Sequence, residues 1–222
     1  MWQALYEEQR ARNFTVVAVA MDSDPEAARP WIEAVRPTYP ALIDRKHLLA
    51  DLYNMVNVPQ AVWIDEAGRI VRPPETAGAY EAFRQMNLET REVPAPAAEK
   101  RQRARDVYYA AVRDWIAKGP KSADVFDAAA ARAHTPAVSG DIALAHNSFR
   151  LGQHLIETGR EREGRTFVEE AIRLHPDSWI MFRQSAGKLP NGLAAGPEFW
   201  SRVLALGDKR YYPPPDLAGM PE

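Results

Sequence analysis

The sequence predicts an α/β region over residues 1–90, followed by an all-α region over 91–222. Three observations carry this. As far as residue 75, short β-branched runs alternate with amphipathic segments, the way an α/β sheet is written. After Pro94 the strand signals stop and apolar residues recur at i, i+3, i+4 and i+7, one face of a helix. Between them, Glu92-Val93-Pro94-Ala95-Pro96 reads as a linker, because two prolines so close disfavour helix and strand alike.

The elements follow in order. Trp2, Leu5 and Tyr6 share one face of a short helix that starts at Met1. Phe14 to Met21 (FTVVAVAM) has no period-two alternation and predicts a strand covered on both faces. Asp24-Pro25-Glu26 is a helix start: an Asp cap, Pro in the first turn and an acid beside it. That helix is expected to stop before Pro37, and Ala41-Leu42-Ile43 forms a short strand closed by Asp44. His47 to Met55 carries Leu48, Leu49, Leu52 and Tyr53 at helical spacing. Ala61 to Ile64 and Ile70-Val71 make a hairpin, with Gly68 where the turn needs positive φ.

In the second region, Ala104, Val107, Tyr108, Ala111, Val112, Trp115 and Ile116 form one apolar stripe. Arg101, Arg103, Arg105 and Arg113 on the other side read as a solvated face rather than a phosphate contact. Ser122 is a candidate cap for a helix over 123–133. In residues 143–176, Leu151-Gly152, Leu155, Gly164, Val168, Ala171 and Pro176 have spacings that resemble a tetratricopeptide repeat, a pair of antiparallel helices. A single repeat needs neighbours to cover it, and helices near 178–187 and 197–206 are expected to provide part of that cover. Tyr211-Tyr212-Pro213-Pro214-Pro215 reads as a loosely ordered tail.

Composition excludes several functions. The 28 Lys and Arg nearly balance 30 Asp and Glu, a net charge of −2, so no nucleic-acid partner is expected. No apolar run approaches the roughly 20 residues of a bilayer span. There is no cysteine, hence no disulfide, thiolate nucleophile or cysteine-ligated metal. The five histidines show no metal-ligand spacing, and neither a metal nor a cofactor is expected. Asp22, Asp24 and Asp44 read as caps and turn residues rather than cation ligands. Trp31 and Trp63 read as core or core rim. Arg outnumbers Lys 22 to 6, a bias typical of GC-rich bacterial coding.

The first region carries three signatures: Met21-Asp22 ending a strand, Pro40-Ala41-Leu42-Ile43-Asp44, and Val58-Pro59 followed by Ile64-Asp65-Glu66-Ala67-Gly68-Arg69-Ile70-Val71. Together they resemble the thioredoxin-like superfamily, more narrowly TlpA/ResA-type thiol–disulfide oxidoreductases and their peroxiredoxin relatives, over roughly residues 1–75. The resemblance implies a cis bond before Pro59, with Val58 and Pro59 shaping the substrate side and Val58 offering its backbone to a substrate strand. It also implies a reactive cysteine at the start of the helix that opens this chain, preceded by a central strand; neither is in the sequence. The expected fold is therefore an incomplete thioredoxin-like sheet lacking its central strand, followed by an all-α, repeat-like domain. Three explanations stay open: truncation, readthrough at a selenocysteine codon in a ResA-like selenoprotein, and a domain that has lost its active site.

The expected function is the C-terminal portion of a thiol or selenol redox protein, inactive by itself because the reactive residue is absent. The alternative is a redox-inactive module for protein–protein interaction. Either way, protein partners are expected at Val58-Pro59 and on the helical region. The sequence as it stands reads as cytoplasmic, or as exported or membrane-anchored if an upstream segment exists.

Overall fold

The computed structural model describes residues 2–135 and 137–222. Met1, read above as the first helical residue, lies outside them. The chain divides into two compact units, each drawn from three stretches. Unit 1 takes Met1–Tyr6, Thr15–Val58 and Pro136–Trp200; unit 2 takes Glu7–Phe14, Pro59–Thr135 and Ser201–Glu222.

Unit 1 combines a small sheet with a helical hairpin. Helix α1 (Trp2–Gln9) buries Leu5 to 1% exposure. It is tied down through Gln3, whose amide donates to Thr38 Oγ1 (2.8 Å) and accepts from the Thr38 N–H (2.9 Å). Strand β1 (Ala18–Ala20), helix α2 (Pro25–Val35) and strand β2 (Ala41–Ile43) make a parallel crossover, with Val19 beside Leu42. Asp24 caps α2 as expected, accepting from the Glu26 N–H at 3.0 Å, and α2 ends at Val35 with Arg36 in the left-handed region.

The strand expected over 14–21 is only three residues long, and it is not covered on both faces. Ala18, Val19 and Ala20 are each only half-buried, and Leu42, beside Val19 in β2, is 53% exposed. The reason is pairing: β1 bonds to β2 alone, so one edge of its ladder has no partner among the described residues and residues 14–17 stay outside it.

Helix α3 (Leu48–Tyr53) follows, bracketed by His47 (φ 54°) and Asn54 (φ 48°). Further along the chain, α6 (Gly140–Glu157) and α7 (Glu161–Leu174) form an antiparallel pair turned at Gly159 (φ 86°). A β-carbon at Gly152 would lie 2.7 Å from the Gly164 carbonyl oxygen, so the two backbones cross here. Ala145, Phe149, Val168 and Ala171 fill the seam, and Met181 of α8 (Trp179–Ser185) closes it. Helix α9 (Pro197–Leu204) starts in this unit, and its Phe199 meets Trp179 edge-on at 5.9 Å.

Unit 2 is organised by a hairpin and one long helix. Strands β3 (Gln60–Ile64) and β4 (Ile70–Thr76) pair antiparallel around a turn in which Asp65 accepts from the Ala67 and Arg69 N–H groups. The Arg69 N–H, and then its guanidinium, hold the Asp65 carboxyl below the usual carboxylate range. Strand β4 outruns the expected Ile70-Val71 and passes through Pro73 and Pro74. It tolerates them because the register shifts there: Ala61 faces Glu75 while Trp63 faces Arg72, a bulge that needs no proline N–H.

The expected linker at 92–96 is not one. Helix α4 (Ala95–Lys118) begins inside it, because Pro94 stands at the N-cap position and Pro96 in the first turn, where a missing N–H removes no bond. The apolar stripe faces inward, with Ala104, Tyr108, Ala111 and Val112 buried. Trp63 stacks on Trp115 (5.1 Å, 16°) and donates its Nε1–H to the Tyr108 hydroxyl at 2.9 Å. Burial pushes the Tyr108 phenol well above its usual pKa. Tyr108→Phe is expected to cost about 1–2 kcal/mol by urea unfolding, since it strands a buried indole N–H.

Two further expectations are corrected here. Helix α5 (Ala128–Ala133) is shorter than the expected 123–133 and is capped by Asp127; Ser122 instead donates to Asp114 (2.7 Å) and accepts from the Asp124 N–H. The C-terminal tail is not loose. Tyr211 is 2% exposed and its N–H donates to Glu81; Arg84 donates to the Gly207 and Lys209 carbonyls and Arg103 to that of Gly219. Periodicity could not show this, because the tail is held by side chains far back in the chain.

Arg72 is the centre of unit 2, at 1% exposure. Its guanidinium forks onto Glu75 (2.5 and 3.0 Å) and donates to the carbonyls of Asp124 and Asp216, the latter at 2.7 Å. It also lies 4.4 Å from the Phe126 ring centroid and 5.4 Å from that of Trp63. Among the described residues, no helix is long and apolar enough to cross a membrane.

Candidate functional site

The two residues singled out for the substrate side have different places. Val58 is 42% exposed and lines a cleft of about 330 Å³ within unit 1. Pro59, next in the chain, is counted with unit 2, is exposed, and accepts from the Ala77 N–H at 3.1 Å. The Val58 N–H is engaged by the Asn57 side-chain oxygen at 2.9 Å. A strand pairing with this backbone must either displace that amide or use the carbonyl alone.

The cleft has two walls. One comes from Ala20, Met21 and Asp22 at the end of β1, from Trp31 and Ile32 of α2, and from Asn57 and Val58. The other comes from α8, through Trp179, Ile180, Arg183 and Gln184, and from Lys188 and Leu193 beyond it. The walls are fastened together. The Val56 carbonyl accepts from the Trp179 (2.7 Å) and Ile180 (3.2 Å) N–H groups, giving two donors of the first turn of α8 a partner. Lys188 Nζ lies 3.6 Å from Asp22, and Gln184 donates to the Ser23 hydroxyl.

This lining suits an amphipathic occupant: aromatic and aliphatic flanks from Trp31, Ile32 and Leu193, with polar groups from Gln184, Lys188 and Asp22. It contains no nucleophile of the thiolate kind, because the sequence has no cysteine.

The three aspartates weighed as cation ligands do separate jobs. Asp22 accepts from the Asp24 N–H, Asp24 caps α2, and Asp44 accepts from the Leu49 N–H. Among the described residues, no group of three His, Asp or Glu side chains is arranged to hold a metal. Trp63 is core, whereas Trp31 stands 59% exposed on the rim of the cleft. A wider depression of about 540 Å³ in unit 2, lined by Gln85 to Asn87 and Glu92 to Pro94, has Glu92 as its one titratable side chain and brings no reactive pair together.

The sequence reading missed the whole second wall. Gln184 and Lys188 carry no motif, and only the docking of α8 on Val56 brings them to Val58.

Residues 1–72 match the AhpC/TSA family. That span, about a third of the chain, runs from α1 into β4 and supplies the first wall of the cleft; the second wall lies beyond it. The match supports a thioredoxin-like, peroxiredoxin-type relation for this part of the chain. No curated protein and no solved structure matches.

Proposed function

We propose that this chain carries the substrate side of a thioredoxin-like redox protein, of the AhpC/TSA or TlpA/ResA kind, joined to a helical region with one tetratricopeptide-like pair. The carrying observation is the AhpC/TSA match over a stretch whose strands form two separate pairs, β1 with β2 and β3 with β4. The thioredoxin-like resemblance calls for a further, central strand, and one supplied from outside these residues would bring the reactive group with it. That group is a thiolate or selenolate that attacks a disulfide or the O–O bond of a peroxide and expels a thiolate or an alcohol. Val58, Pro59 and the cleft beside Val58 would receive the substrate.

The test is an assay of disulfide reduction and peroxide consumption with a dithiol donor. The chain alone is expected to show no turnover above buffer. The same chain extended by its in-frame upstream coding segment is expected to turn over, and replacing the reactive residue there by Ser abolishes it. If that upstream segment encodes no reactive thiol or selenol, the redox reading fails and the protein-interaction reading replaces it.

A further inference from the structure

Three of the five histidines are buried in unit 1: His47 at 3%, His146 at 6% and His175 at 5% exposure. They gather where α3 meets α6 and the C-terminal end of α7. The His47 ring lies edge-on to Phe149 at 5.4 Å, and its Nδ1 is 3.4 Å from the Gln153 amide nitrogen. His146 Nε2 is 3.5 Å from Asn54 Oδ1, and its Nδ1 is 3.9 Å from Asp51. The His146 and His175 rings are 5.8 Å apart. The Nε2 atoms of His47 and His175 are buried and have no hydrogen-bond partner among the described residues.

Helix α3 depends on this contact. It is six residues long, and both flanking residues, His47 and Asn54, hold a left-handed conformation that is costly for a side chain with a β-carbon. Its outer residues Leu48 and Leu52 are 49% and 72% exposed. Its polar ties to α6 are the histidine contacts and the Asp51–Arg150 pair at 3.0 Å.

We propose that His47, His146 and His175 form an acid-released clamp between α3 and the α6–α7 pair, closed while the rings are neutral and opened by their protonation. A proton added at Nε2 of His47 or His175 would place a charged N–H where no acceptor stands. Charging His146 and His175 together would set two cations edge to face with their ring centres 5.8 Å apart.

The surrounding charges do not reverse this. Asp44 and Asp22 favour a charged His47 and Lys188 opposes it. Asp51 favours a charged His146 and Arg150 opposes it; Asp177 favours a charged His175 and His146 opposes it. Burial is the largest influence on all three and lowers each pKa below 6.5. The closed form therefore binds protons less tightly than the open one. The clamp is fully effective above about pH 6.5 and is lost as pH falls through and below it.

The test is hydrogen–deuterium exchange of the α3 amides in the full chain, corrected for the intrinsic pH dependence of exchange. Between about pH 7.5 and 5.5, α3 protection is expected to fall about tenfold or more, and by no more than about twofold in a His47→Asn/His146→Gln/His175→Gln variant. Should that variant fail to fold, an NMR titration of the wild-type rings serves instead, with His146 and His175 expected to titrate below 6.5. Unchanged α3 protection, an equal loss in the variant, or either ring titrating at or above 6.5 overturns the proposal.

Discussion

Arg72→Leu is expected to lower the unfolding free energy by about 3–5 kcal/mol, measured by urea denaturation. The guanidinium is almost fully enclosed and serves four acceptors at once: both oxygens of Glu75 and the carbonyls of Asp124 and Asp216. Leucine fills part of the volume but donates nothing. A nearly buried carboxylate, 14% exposed, is then left without its partner. Much of the loss comes from that stranded charge rather than from the pair itself. Arg72→Leu combined with Glu75→Gln is therefore expected to regain about 1–2 kcal/mol over the single variant. A single substitution that costs less than about 1 kcal/mol would show that Arg72 is more solvated than its burial indicates.

The second large effect is at the helix crossing. Gly164→Val is expected to cost about 3 kcal/mol or more by thermal or urea unfolding. A β-carbon there would stand 2.5 Å from the Gly152 carbonyl oxygen and 2.9 Å from the Ile156 nitrogen. Both are backbone atoms within α6 and cannot rotate away. The helices must separate, and the contacts among Ala145, Phe149, Val168 and Ala171 loosen with them. Gly187 provides the control. A β-carbon at that position meets nothing within 4 Å, so Gly187→Ala is expected to change stability by no more than about 0.5 kcal/mol. Equal melting of the Gly164 variant and the wild type would refute the close approach.

What the sequence made legible was local. The Asp24 cap, the stop before Pro37, the β3–β4 turn at Gly68 and the glycines at the α6–α7 crossing each follow from one residue's conformational preference, and each is present. Misreadings arose where a distant partner decides. FTVV looks like a buried strand, but among the described residues β1 bonds to a single neighbour and its ladder stays short. Pro73 and Pro74 look like a strand end until the bulge opposite Trp63 is known. Tyr211 looks like the start of a loose tail until Glu81, far back in the chain, takes its N–H. The candidate site divides the same way. Val58 stood out from a motif, while Gln184 and Lys188 reach it only through the tertiary docking of α8.

Because each unit is stitched from three stretches, synthesis order constrains assembly. A nascent chain has emitted the whole first-wall segment before any of α6 to α8 exists, and the Arg72 acceptor at Asp216 arrives 144 residues after Arg72 itself. Neither unit can be finished until the chain has been made at least as far as residue 200. A single cut anywhere between residues 7 and 200 would divide both, so such split-gene fragments should recover native structure only when the two pieces are refolded together.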